Sequence, residues 1–147
     1  PGYEAPVYLS WAHKNRSDLI RVPAYKPGKA ESTRIEYRAP DPACNPYLVF
    51  AVMLAAGLDG IRNKLDPPAP TESDVSQMSD AERRALGIGV LPASLDEALE
   101  IMQGSALVRE TLGDHVFDSF VRNKKIEWET YRSQVTDYEL KRYLPTL

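Results

Sequence analysis

Hydrophobic and polar positions change their spacing once along this chain. Over the first forty residues the apolar positions come in short runs with a two-residue period. Pro6 to Ala12 (PVYLSWA), Leu19 to Val22 (LIRV) and Thr33 to Arg38 (TRIEYR) read as strands. The third alternates most cleanly. On a strand, Ile35 and Tyr37 point one way and Arg34, Glu36 and Arg38 the other. Between the second and third runs, AYKPGKAES carries the turn signal Pro27-Gly28, with Lys26 and Lys29 in the same loop.

From Asn45 onward the period is helical. Asn45 is an N-cap with Pro46 at the first helical position. The helix it opens runs to about Lys64 and is apolar nearly all round, through Leu48, Phe50, Val52, Met53, Leu54 and Ile61. A helix without a polar stripe is expected to be buried, with Gly57 and Gly60 allowing close approach of a neighbour. LDPPAPTESDVSQ then breaks structure and is expected to be an exposed, mobile loop. Three capping boxes follow: Ser79 with Glu82, Ser94 with Glu97, and Thr136 with Glu139. Gly87, Gly104 and Pro145 mark the ends of the helices they open. A further helix is expected from about Asp114 to Val135. Its apolar face is Phe117, Phe120, Val121, Trp128, Tyr131 and Val135, and Asp118/Arg122 and Lys125/Glu129 form i,i+4 pairs on the other. The pattern is α+β: short antiparallel strands in the first third, followed by a helical scaffold.

Composition adds bounds. The 147 residues suit one domain, and 43% hydrophobic with 27% charged residues is an ordinary globular balance. A net charge of -3 gives no reason to expect a nucleic-acid partner. The charge is uneven, however: positive residues gather before Asn45. The longest apolar run, Tyr47 to Gly57, is far short of the roughly 20 residues that span a bilayer, so no membrane partner is expected. A single cysteine, Cys44, excludes an internal disulfide, fits a reducing, cytoplasmic setting, and reads as a small buried residue. The opening PGYEAP, without Met, reads as a piece of something longer.

The chemistry is therefore sought in the first third. Glu36 between Arg34 and Arg38 should stay ionised, because neighbouring positive charge favours the anion. Such a carboxylate is a hard oxygen ligand for Mg²⁺ or Mn²⁺, and flanking guanidiniums match carboxylates and phosphates. An exposed row of ion pairs explains the same pattern. Arg16 and Arg21 in NRSDLIR are phosphate contacts or solvated surface. Glu4, in a Pro/Gly-bounded loop, is a projected carboxylate or a solvated one. No P-loop, GxGxxG or GxSxG is present, and His13 and His115 lack metal-ligand spacing.

The combination is more specific than its parts. PGYEAP, NRSDLIRVP, STRIEYRAPDPACNPYL and AAGLDGIRNKLDPP, in this order and spacing, resemble bacterial-type (class I) glutamine synthetase, in the C-terminal part of its catalytic domain, over residues 1–147. The resemblance implies an enzyme that joins ammonia to L-glutamate at the expense of ATP, through γ-glutamyl phosphate. It implies Glu4 as the flap carboxylate that closes the glutamate site and takes a proton from ammonium. Arg16 contacts ATP phosphate and the reacting glutamate. Arg21, Lys29 and Arg34 lie on the nucleotide side, Glu36 ligates Mg²⁺ or Mn²⁺, and Arg38 grips substrate glutamate. Ser76 stands where some relatives carry an adenylylated tyrosine. The terminal TDYELKRYLPTL resembles the helix that locks two hexameric rings into a dodecamer. The family's remaining metal ligands and its N-terminal β-grasp domain have no counterpart here, so the chain alone is expected to be inactive. Two other readings stay in view: a glutamate–polyamine ligase of the same superfamily, and a non-catalytic assembly module.

Overall fold

Three strands of two residues each organise the first third: β1 (Trp11–Ala12), β2 (Ile20–Arg21) and β3 (Glu36–Tyr37). The computed structural model describes residues 5–15 and 17–146, which fall into two compact units, Pro1–Ala93 and Ser94–Leu147. Glu4 and Arg16, both expected in the site, lie outside the described residues.

The sheet order is β1-β2-β3, and it is mixed. β2 and β3 are antiparallel, with Ile20 opposite Tyr37 and Arg21 opposite Glu36. β1 and β2 are parallel, with Trp11 opposite Ile20, which corrects the expectation of antiparallel strands. The connection HKNRSDL does not fold back as a hairpin. β2 runs alongside β1 in the same direction, so that Ile20 N–H bonds the Ser10 carbonyl at 3.2 Å and Val22 N–H the Ala12 carbonyl at 2.9 Å. The strands are also shorter than their sequence runs. Upstream of β1, Val7 to Leu9 pairs instead with residues 89–91: Leu9 N–H bonds the Gly89 carbonyl (2.9 Å) and Leu91 N–H the Val7 carbonyl (2.7 Å). A Cβ at Gly89 would stand 3.0 Å from Leu9 Cδ1, which explains a glycine there.

The first helix, α1 (Pro46–Arg62), starts where the sequence places it. Asn45 Oδ1 accepts from Tyr47 N–H (3.0 Å) and Leu48 N–H (3.4 Å), and Pro46 follows. Cys44, expected to be buried, is half-buried in the turn just before. Burial of α1 is the larger correction: it has no buried residue, and Phe50 and Leu54 are 67% and 65% exposed. Between α1 and the sheet lies an open apolar hollow of about 650 Å³, lined among others by Leu19, Ile35, Tyr37, Val52 and Met53. A Cβ at Gly57 or Gly60 would meet nothing within 4 Å, so neither glycine serves close packing within this chain. Within its own unit, the described residues do not bury α1.

The proline-rich segment after α1 is exposed at most positions but fixed at several. Trp11 Nε1–H donates to the Pro68 carbonyl (2.6 Å), and Thr71 N–H to the Trp11 carbonyl (2.8 Å). Val75, in a 3₁₀ turn (Val75–Gln77), is fully buried. α2 (Asp80–Ala85) follows, opened by the reciprocal Ser79/Glu82 capping box.

The second unit is helical. α3 (Leu95–Gln103) is capped by Ser94 Oγ and packs against α4 (Ala106–Arg132). α4 is two limbs joined at Gly113, whose φ of 72° and ψ of 153° leave the helical region. The second limb begins at Asp114, as the sequence indicates; the first was not foreseen, although Ser105 caps it by accepting from Val108 N–H. Leu99, Phe117 and Val121 are buried. Tyr131 and Val135, expected on the same apolar face, are each 69% exposed. The expected i,i+4 pairs are replaced. Asp118 pairs with Arg109 at 3.1 Å, and Glu129 with Arg132 at 2.7 Å. Arg109 also holds Asp114 at 2.7 Å and lies 4.1 Å from the Phe117 ring centre, so it staples one limb of α4 to the other. α5 (Asp137–Tyr143) closes the chain behind the Thr136/Glu139 capping box.

Candidate functional site

The antiparallel register of β2 and β3 puts Arg21 directly across from Glu36, and cross-strand partners share a face. Glu36 Oε2 lies 2.9 Å from Arg21 Nη2. Glu36 Oε1 accepts from Arg38 Nε at 2.7 Å and lies 2.5 Å from Arg38 Nη2. One carboxylate is thus held between two guanidiniums, one from each strand. The side chains are partly sheltered, with 37% of Glu36, 20% of Arg21 and 23% of Arg38 exposed. Arg21 Nε–H is buried and has no acceptor among the described residues. The opposite face behaves as the alternation predicts, since Ile35 and Tyr37 both line the apolar hollow.

Two other candidates stand outside this cluster. Arg34 Nη1 donates to the Ser32 carbonyl at 3.0 Å. Lys29 closes the Lys26–Lys29 turn, its N–H bonding the Lys26 carbonyl (3.0 Å), with Gly28 at φ 76° as such a turn requires. The structure brings Arg21, Glu36 and Arg38 together.

A second polar group behind the sheet went unnoticed in the sequence. Asp18, just before β2, is fully buried, and its Oδ1 accepts a short hydrogen bond from Ser10 Oγ. Its Oδ2 has no partner among the described residues. Burial pushes the Asp18 carboxyl above the usual range. The Ser10 hydrogen bond and the Arg38 charge oppose this, while Glu72 and Asp74 add to it. Beside it, Glu72 accepts from two successive backbone amides, His13 N–H (2.9 Å) and Lys14 N–H (3.3 Å). Those bonds, His13's first, hold its pKa below the ordinary glutamate value. Only Asp74 with Ser76 carried a readable signal, an aspartate bonding the backbone two residues on.

The donor set does not fit a divalent cation by itself. A hard cation of this kind takes about six oxygen ligands. No group of three His, Cys, Asp or Glu side chains that could hold a metal is found among the described residues. Both Glu36 oxygens already accept from arginine. What the arrangement offers is concentrated positive charge around one anionic group, suited to anionic substrates.

Known proteins give this arrangement a context. Residues 1–143 match the family model described as glutamine synthetase, catalytic domain. A glutamine synthetase of Methanosarcina mazei is 54% identical over 147 residues, covering the whole chain and 32% of that protein. One of Mycolicibacterium smegmatis is 56% identical over 143 residues, covering 97% of the chain and 32% of that protein. Among solved structures, the GmaS/ADP complex superposes with a TM-score of 0.81 at 31% identity, over 96% of this chain and 30% of that one. The chain spans about a third of the length of the curated relatives it matches. With nearly its whole length matched by the catalytic-domain model, the chain belongs to the glutamine synthetase family.

Proposed function

We propose that the full-length protein containing this chain ligates ammonia to L-glutamate with ATP, through γ-glutamyl phosphate, and that residues 1–147 form the C-terminal part of its catalytic domain. The observation that carries the reading is the Arg21–Glu36–Arg38 cluster across β2 and β3, in a chain of this family. Phosphoryl transfer depends on positive charge around the transferring oxygens more than on a protein nucleophile. Arg21, with Arg16, Lys29 and Arg34, supplies that charge on the nucleotide side. Arg38 holds the substrate carboxylate as a guanidinium fork. Glu4 takes the proton from ammonium. Glu36 contributes one ligand to Mg²⁺ or Mn²⁺, and the remaining ligands come from outside this chain. The names of relatives at 54% and 56% identity favour ammonia over a polyamine as acceptor. Retention of Glu36 and its two arginines speaks against a non-catalytic assembly module. A cytoplasmic homo-oligomer, a dodecamer of two stacked hexameric rings, belongs to the same reading.

The test is glutamine formation by the full-length protein from glutamate, ammonia and ATP, with and without divalent metal. Glu36→Ala is expected to lower kcat/KM by at least about a hundredfold, because it removes a ligand and the carboxylate that holds Arg21 and Arg38 in place. Turnover and metal titration unchanged from wild type would remove Glu36 from the site.

A further inference from the structure

The loop between β1 and β2 is fixed from a distant part of the chain. Five hydrogen bonds tie residues 11–15 to residues 68–73, across 57 to 60 positions of sequence. Trp11 Nε1–H bonds the Pro68 carbonyl, and Asn15 Nδ2–H bonds the Ser73 carbonyl at 2.9 Å. Between them, the Glu72 carboxylate takes the N–H groups of His13 and Lys14. Asn15 Oδ1 then accepts from Ser17 N–H (3.0 Å) and Ser17 Oγ (2.8 Å), and Asp74 also bonds the Ser17 side chain. Residues 15 and 17 are therefore linked to each other and to residues 73 and 74. The same loop leads into β2 and Arg21.

We propose that Glu72 is a positioning residue for the nucleotide side of the site, and that residues 68–74 act as a strap setting residues 13–15 and 17. This rests on the function proposed above. Two successive amides aimed at one carboxylate fix the peptide planes at 13 and 14, which a single bond would not do. His13, Lys14 and Glu72 are all exposed, so water can take over these bonds when the carboxylate is removed. Loss of Glu72 therefore loosens the loop rather than unfolding the chain. Misplacing a charge-bearing loop is costly for the ligand it orients and not for a ligand held elsewhere.

The experiment uses Glu72→Ala and Glu72→Gln in the full-length protein. Amide exchange in peptides covering residues 11–15 is expected to speed up about tenfold in Glu72→Ala, and less in Glu72→Gln, which keeps one acceptor oxygen. KM for ATP should rise about tenfold in Glu72→Ala, with KM for glutamate within about twofold. Glu72→Gln should recover part of the ATP effect. Unchanged exchange, or both KM values rising together, overturns the proposal. A wild-type protein that makes no glutamine overturns the function itself. An active wild type whose Glu72→Ala variant keeps its KM for ATP overturns the strap alone.

Discussion

Glu36 shows how a residue's role depends on register. Its two neighbours in sequence, Arg34 and Arg38, suggested a clamp from its own strand. The structure uses Arg38 but replaces Arg34 by Arg21 from β2, because the antiparallel ladder sets Arg21 opposite Glu36. Alternation alone gives the face and not the cross-strand partner, so the pair was not legible before the register was known. Asp18 was invisible for a similar reason: nothing in NRSD says that the aspartate turns inward. Its raised pKa has a testable sign. A carboxyl whose folded pKa lies above its unfolded value binds protons more tightly when folded. Its charged form therefore costs stability, and stability falls as pH rises from about the ordinary 3.8 through the raised value. Glu72, Asp74, Asp80, Glu82 and Glu139, all lowered, act in the other direction. Their contribution is lost as pH falls below the ordinary carboxylate range. Asp18→Asn should thus raise stability at pH 7 by about 1 kcal/mol and flatten the curve only above the ordinary aspartate value. Urea unfolding of both proteins across pH 4 to 8 measures it. A constant difference at every pH counts against Asp18 as the titrating group.

Helix starts were the most legible elements. Asn45, Ser79, Ser94 and Thr136 each cap where the sequence puts them, because a cap is a local bond between residues two or three apart. Tertiary consequences were less legible. α1 has the composition of a core helix and none of the burial, since composition reports what a helix needs and not what this chain provides. The segment after it looked free because its bonds run to residues nearly sixty positions away. Gly113 and Gly57 separate local from tertiary reasons for a glycine. Gly113 sits at φ 72° and ψ 153°, a conformation essentially confined to glycine that costs an L-residue roughly 1–3 kcal/mol. Gly57 lies inside α1 with open space where a Cβ would go. Gly113→Ala should destabilise the chain by about 1–3 kcal/mol, and Gly57→Ala should stabilise it by about 0.5–1 kcal/mol. Chemical unfolding of the two variants reads opposite signs from one substitution. Equal signs would mean that the break in α4 is not held by Gly113.

At the scale of the whole molecule, the site and the scaffold are incomplete in the same way. The cluster on β2 and β3 offers one carboxylate where a divalent cation needs several oxygens. Phe50 and Leu54 on α1 stay largely in solvent. Both shortfalls agree with a chain that spans about a third of its relatives. Charge supplied by Arg21 and Arg38 can attract anions, but attraction alone does not assemble a phosphoryl-transfer site. The 147-residue chain should therefore show no γ-glutamyl transfer with hydroxylamine, under conditions where the full-length protein is expected to show it. It should also bind a hydrophobic dye at the exposed α1 face, and the full-length protein should bind much less. The two readouts separate two causes. Dye binding without transfer means that missing chain explains both defects. Transfer by the 147 residues alone would mean that the cluster on two short strands is a sufficient site, and that the rest of the protein serves another purpose.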